Sequence, residues 1–335
     1  MNICIISSAF PSKKDQVINI FIYRQAKALA ERGHKVFVVA GDTESRKLGN
    51  MIVYARPNLF KSALLALKVA LKIPKESFWL LKNVGLKGAV GRLALVEITR
   101  NLLEKEKIDT IDGHWADYGA VVAYLVSKIC KREYITTCHG SDVACGENGV
   151  PSVLPKGRRE IVSAALENAN CIIVDSKSIK NDVKKYCFKN PIIVHHAIDL
   201  KIFKPINEKI FKRKTVISVG AINKRKGYEY LLTSIKEVLE KNREVNFLIV
   251  GKGPEEQNIK KLAKELDVLD NVTFIDYISE EKLPLYYSSS EFFVLASLHE
   301  GFGIVFIEAM ACGIPVVSTN VAAIPENVEG GGILV

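Results

Sequence analysis

Glu300 and Glu308 flank the turn Gly301-Phe302-Gly303-Ile304 in a stretch, 297–317, that reads strand, turn, helix, turn, strand. Gly301 and Gly303 let the backbone turn sharply and approach a ligand closely. The amides of a helix starting near Ile304 point toward the same turn, which makes it a diphosphate cradle that is not a P-loop. Gly313 suits the left-handed residue after that helix, and Pro315 prevents its continuation. Inside the helix Glu308 stands alone among Val305, Phe306, Ile307, Ala309 and Met310. An ionised carboxylate buried there without partners costs several kcal/mol, and the hydroxyls of a bound ribose would satisfy it. The bland alternative is a surface glutamate on an amphipathic helix.

Three further segments carry groups that can act on a ligand. Lys224-Arg225-Lys226-Gly227 closes a loop after an apolar strand and places cations where a diphosphate needs neutralising. Cys138-His139-Gly140-Ser141-Asp142 follows another strand. His139 can exchange a hydrogen bond with a sugar hydroxyl, or the segment is a turn in which Asp142 caps a helix. Asp112 to Gly119 offers His114, Asp117 and Tyr118 as ligand contacts, against a reading in which Trp115 packs and Asp117 caps. His34 and the pair His195-His196 read as structural.

The elements that position these groups alternate strand and helix. Apolar strand-like runs fall at 1–7, 35–40, 110–113, 134–137 and 171–174, with helical stretches between them, and the pattern restarts at 216–219, 246–250, 272–275 and 292–296. This is an α/β chain of two doubly wound, Rossmann-like domains, expected at 1–204 and 205–335 with the break at Pro205 and the charged residues after it. A length of 335 residues and a 48% hydrophobic fraction support two cores. Neither half has GxGxxG after its first strand, which disfavours a nicotinamide or flavin enzyme.

Taken together, these motifs resemble the retaining glycosyltransferases of family 4 (glycosyl transferases group 1, GT-B fold). The resemblance runs through Glu300-x7-Glu308 with EGFG and EAMACGIPVV, through the HGSD loop at His139, through Lys226-Gly227, and through Phe10-Pro11-Ser12 with the helix beyond it. It implies two domains facing a cleft and metal-independent transfer of a hexosyl unit, with retention, from a nucleoside diphosphate sugar to an acceptor hydroxyl. No cofactor is implied, and the expected setting is cell-surface polysaccharide or glycolipid synthesis with a saccharide or lipid-linked acceptor.

By that resemblance Glu308 holds the ribose, while Glu300 and the amides of Gly301, Phe302, Gly303 and Ile304 hold the donor sugar and diphosphate. Lys226 neutralises the leaving group, and Arg225 deputises because Ala221 stands where the family has an arginine. His139 fixes the sugar from the other domain. Asn19 replaces a usual glycine, and the C-terminal end is expected to be shortened relative to the family. A binding or scaffold protein of the same descent, or a nucleotide-sugar epimerase on the same architecture, is the alternative.

The net charge of +10 fits nucleic acid, an anionic membrane or a phosphorylated small molecule. No nucleic-acid-binding signature accompanies it, so no nucleic-acid partner is expected. Lysines 61, 68, 72, 75 and 82 fall within an arc of about 80° on a helix, which would suit peripheral contact from Lys61 to Lys82 with a membrane. Pro74 and Leu64 interrupt that face, and a solvated edge over a buried helix is the other reading. Seven cysteines without a CxxC pair read as reduced packing residues, with no metal site expected. With no long apolar run and no basic leader, the chain is expected to be cytoplasmic, peripheral to the inner membrane face at most.

Overall fold

The structure, a computed structural model, describes residues 1–13, 18–144 and 154–335. Cys145 lies outside the described residues; the other six cysteines are free thiols. The chain divides into two compact units that change over between Val194 and His195, upstream of the 204/205 expected from composition, with Ser176–Ser178 also belonging to the second.

Among the described residues the first unit holds an eight-stranded sheet. Its strands are β1 (Asn2–Ala9), β2 (Lys35–Asp42), β3 (Arg46–Leu48), β4 (Met51–Ala55), β5 (Thr110–His114), β6 (Ile135–Cys138), β7 (Cys171–Val174) and β8 (Ile192–Ile193). Their order is β3-β4-β2-β1-β5-β6-β7-β8, parallel except at β3–β4. β1 is nearly continuous in buried residues, with Cys4, Ile5 and Ile6 fully enclosed, as a central parallel strand covered on both faces requires. The antiparallel edge β3–β4 was not expected from the sequence, because its first strand is polar and only three residues long.

Pro74 does end the helix that begins at Leu59, but a second helix starts on it. Helix Leu59–Lys72 stops at Ile73, and Pro74 occupies the first turn of Pro74–Lys105, where its missing N–H costs nothing. That second helix is broken at Gly85, whose φ of 69° and ψ of 173° are not helical.

The second unit carries, among the described residues, six parallel strands: β9 (Thr215–Val219), β10 (Asn246–Val250), β11 (Val272–Ile275), β12 (Phe292–Leu295), β13 (Val316–Ser318) and β14 (Gly332–Leu334). They run in the order β11-β10-β9-β12-β13-β14. In each sheet the order reverses beside the first strand, between β1 and β5 and between β9 and β12. Ligands of open α/β sheets bind outside the carboxyl ends of the strands at such switch points.

Candidate functional site

At the second unit's switch point two loops leave adjacent strands, residues 220–227 after β9 and residues 296–303 after β12. The amide of Leu298 donates to the carbonyl of Arg225 at 2.8 Å, tying them together. Gly227 has φ +62°, and a Cβ there would lie 2.0 Å from the Ala296 carbonyl oxygen, so only glycine permits the approach. This contact sets Lys226 and Glu300 face to face.

Lys226 and Glu300 are both buried, and Lys226 Nζ binds Glu300 Oε1 directly. Ser297 Oγ donates to the same oxygen at 2.7 Å. Burial works to raise the Glu300 carboxyl, but the charges of Lys226 and Arg225 and the hydrogen bonds from Lys226 and Ser297 outweigh it and hold the group below the usual glutamate value. Glu300 is therefore an anion at neutral pH, fixed in position by two donors.

Beyond Glu300 the turn closes on Gly303, at φ +82°, where a Cβ would meet the Phe306 ring at 2.5 Å. The helix Ile304–Ala311 starts there without a side-chain cap among the described residues. The turn is braced from outside. Ser176 Oγ donates to the Gly301 carbonyl at 2.7 Å, Asn327 Nδ2 to that of Phe302, and the rings of His195 and His196 pack on Phe302 at 5.8 and 5.4 Å. Glu308 is buried, not a surface residue of an amphipathic helix, and its Oε2 accepts from the Tyr287 hydroxyl at 3.3 Å. Tyr287, on helix Leu283–Ser289, carried no sequence signal beyond its place in an apolar run.

Glu300, Lys226, Arg225, Gly301, Phe302, Gly303, Ile304 and Glu308 thus belong to one unit and lie on the two loops of one switch point or the helix that follows. His139 belongs to the first unit, just beyond β6. It is buried, with Nδ1 at 2.9 Å from Asp175 Oδ2 and Nε2 at 2.9 Å from His114 Nδ1. His139 Nδ1 donates to the carboxylate, and one of the two rings supplies the proton shared between His139 Nε2 and His114 Nδ1. His114 Nε2 in turn faces Asp112 Oδ2 at 3.2 Å. Burial would raise the Asp112 carboxyl, but His114, Thr137 and His139 hold it low.

Trp115 figures in the sequence only in the alternative reading of 112–119, as a packing residue. Its backbone sits at φ +71°, a conformation costly for an aromatic side chain, at the start of the π-helical turn Trp115–Gly119. Its ring lies 4.8 Å from His139 and 5.9 Å from Phe21, and its buried Nε1 has no hydrogen-bond partner among the described residues. Asp117 and Tyr118 are committed elsewhere, Asp117 to Arg158 at 2.9 Å and Tyr118 beneath Arg92 at 4.3 Å. Asp142 lies within the short helix Ser141–Ala144 and accepts from Ala116 N at 2.6 Å and His139 N at 3.1 Å, which ties its loop to the turn after β5.

Two parallel-sheet Rossmann-like units, the second with an acidic and basic pair and a glycine turn at its switch point, define a protein of the GT-B glycosyltransferase class. The chain belongs to glycosyltransferase family 4, matching the profile Glycosyltransferase Family 4 over residues 18–202 and Glycosyl transferases group 1 over 199–334. It is 31% identical over 242 residues to an uncharacterised glycosyltransferase of Methanocaldococcus jannaschii, covering 70% of this chain and 62% of that one. It is 27% identical over 330 residues to one of the polypeptides of the human phosphatidylinositol N-acetylglucosaminyltransferase, covering 97% and 63%. The chain therefore spans less than two thirds of the length of these relatives. Its fold matches that of Anabaena Alr3699/HepE, solved in complex with UDP and glucose, with a TM-score of 0.74 at 16% identity, covering 100% of this chain and 85% of that one.

Proposed function

We propose that this protein transfers a hexosyl unit from a nucleoside diphosphate sugar to an acceptor hydroxyl, with retention of anomeric configuration, in the synthesis of a cell-surface polysaccharide or a glycolipid. The observation that carries the reading is the buried Lys226–Glu300 pair at the β9/β12 switch point, beside a helix start opened by Gly303. The solved neighbour with UDP and glucose and the phosphatidylinositol-directed relative support the donor and acceptor classes.

In this mechanism the diphosphate lies against the amides of Gly301 to Ile304, with Lys226 and Arg225 balancing its charge and Glu308 binding the ribose. As the sugar's bond to the diphosphate breaks, positive charge grows on the sugar, and the fixed anion Glu300 favours that state over the ground state. The departing phosphate oxygen takes the acceptor's proton. The cations and amides meet the diphosphate charge without a metal ion.

The test is a panel of UDP, GDP and ADP sugars assayed for thermal stabilisation, then for transfer. A donor at one hundred times its dissociation constant stabilises by about 2.7 kcal/mol. The product's anomeric configuration should match the donor's. An inverted product, or conversion of the donor sugar to its epimer with no acceptor present, overturns the proposal.

A further inference from the structure

The helix Leu59–Lys72 has two apolar faces, and only one of them meets protein among the described residues. Ser62, Ala66 and Val69 are buried, with Ala66 and Val69 in the first unit's core. On the far side Phe60, Leu64, Leu67 and Leu71 fall within about 60° of one another at ~100° per residue. Phe60, Leu67 and Leu71 are 73%, 57% and 76% exposed, and Leu64 is 49% exposed. Beside them runs a shallow groove of about 440 Å³ lined by Pro57, Lys61, Leu64, Leu67, Lys68 and Leu71 among others. The neighbouring helix adds Phe78 and Leu86, each 70% exposed. This is not the solvated edge that the lysine spacing alone allowed, because its centre is leucine and phenylalanine.

The charge around this face selects its occupant. Lys61, Lys68 and Lys72 line one flank within about 40° of arc, and Lys75, Lys82 and Lys87 follow, against the single acidic residue Glu76 in residues 59–88. Glu97 and Glu104, farther along the second helix, are both paired to Arg100. A second copy of the chain would set lysines against lysines, whereas anionic headgroups meet the lysines while the acyl region receives the leucines. We propose that the exposed face of residues 59–86 docks this protein on a membrane surface carrying anionic lipid. The proposal stands on this face alone and needs nothing from the donor site.

Co-sedimentation with vesicles tests it, using phosphatidylcholine alone and phosphatidylcholine with about one third phosphatidylglycerol. The chain should bind the anionic vesicles and release progressively as salt is raised. The triple change Leu64→Ser, Leu67→Ser and Leu71→Ser should lower partitioning at least about tenfold at any salt. Lys61→Gln, Lys68→Gln and Lys72→Gln should lower it by about fivefold per lysine and flatten the salt dependence. All six positions are on the surface, and unchanged thermal melting checks each fold; the lysine set stands alone if the serine set misfolds. No binding to anionic vesicles, or equal binding by the wild type and both variants, overturns the proposal. A dimer that dissociates in the serine variant, without vesicle binding, assigns the face to a second copy instead.

Discussion

Lys226 and Glu300, 74 residues apart in the chain, meet as a buried ion pair because Gly227 lets its loop touch the carbonyl of Ala296. Each charge needs the other, since an isolated buried charge is far more costly than a matched pair. Lys226→Ala should therefore cost about 3 to 5 kcal/mol of folding stability, and adding Glu300→Gln should restore much of it. Urea denaturation of the single and double variants measures this; additive losses would show that the residues act independently.

For ligand binding, Lys226→Ala within the Glu300→Gln background should weaken a nucleoside diphosphate more than the bare nucleoside, by about 1.5 to 3 kcal/mol. Isothermal calorimetry with both ligands gives the comparison, and equal losses would place the lysine outside the phosphate site. Glu300→Gln alone should reduce turnover more than donor affinity.

Glu308 and Tyr287 share a buried hydrogen bond at 3.3 Å. Glu308→Gln keeps the side chain's shape and one acceptor oxygen but removes the charge that favours ribose hydroxyl donors. Nucleoside affinity should fall by about 1 to 2 kcal/mol without a matching loss of melting temperature. An unchanged nucleoside dissociation constant would leave Glu308 with a structural role only.

Opposite pH trends should come from Glu300 and Asp142. The Glu300 carboxyl sits below its ordinary value of 4.5, so its contribution to stability is complete above about pH 4.5 and is lost as pH falls through the lowered value. Asp142 is pushed up from 3.8 to about 7 by burial and then by Asp117, so its contribution is complete below about pH 4 and is lost as pH rises toward 7. That difference converts to roughly 4 kcal/mol between the two limits. Asp142→Asn should flatten stability between about pH 4 and 7 relative to wild type, although it lowers stability overall by replacing one acceptor oxygen with a donor. Parallel pH profiles for wild type and variant would contradict this.

Gly303→Ala faces two penalties, a φ of +82° and a Cβ placed 2.5 Å from the Phe306 ring. A loss of about 1 to 3 kcal/mol in stability, with a larger loss in nucleoside diphosphate affinity, is expected from melting curves taken with and without ligand. Gly33→Ala is the control. Gly33 has φ +86° but, among the described residues, nothing within 4 Å of the added methyl, so it should show the backbone cost without the effect on ligand.

Local patterning alone determined the two α/β halves of this protein, the glycine turn at 301–303 and the charge of the loop at 224–226. Strand runs, helix stops and turn residues are each written within a few consecutive side chains. Tertiary structure decided which loops meet. Strand order brings β9 beside β12 and β1 beside β5, and no short window encodes that order, so the Lys226–Glu300 pair, the Tyr287–Glu308 bond and the hydrogen bond between His114 and His139 were not legible. The unit boundary and the edge strand β3 likewise depend on pairing rather than composition. The two-faced helix shows the difference most directly. Its apolar positions are plain in the sequence, but which of them the core covers depends on the sheet packed beneath Ala66 and Val69, and only the folded chain leaves Phe60, Leu67 and Leu71 in the open.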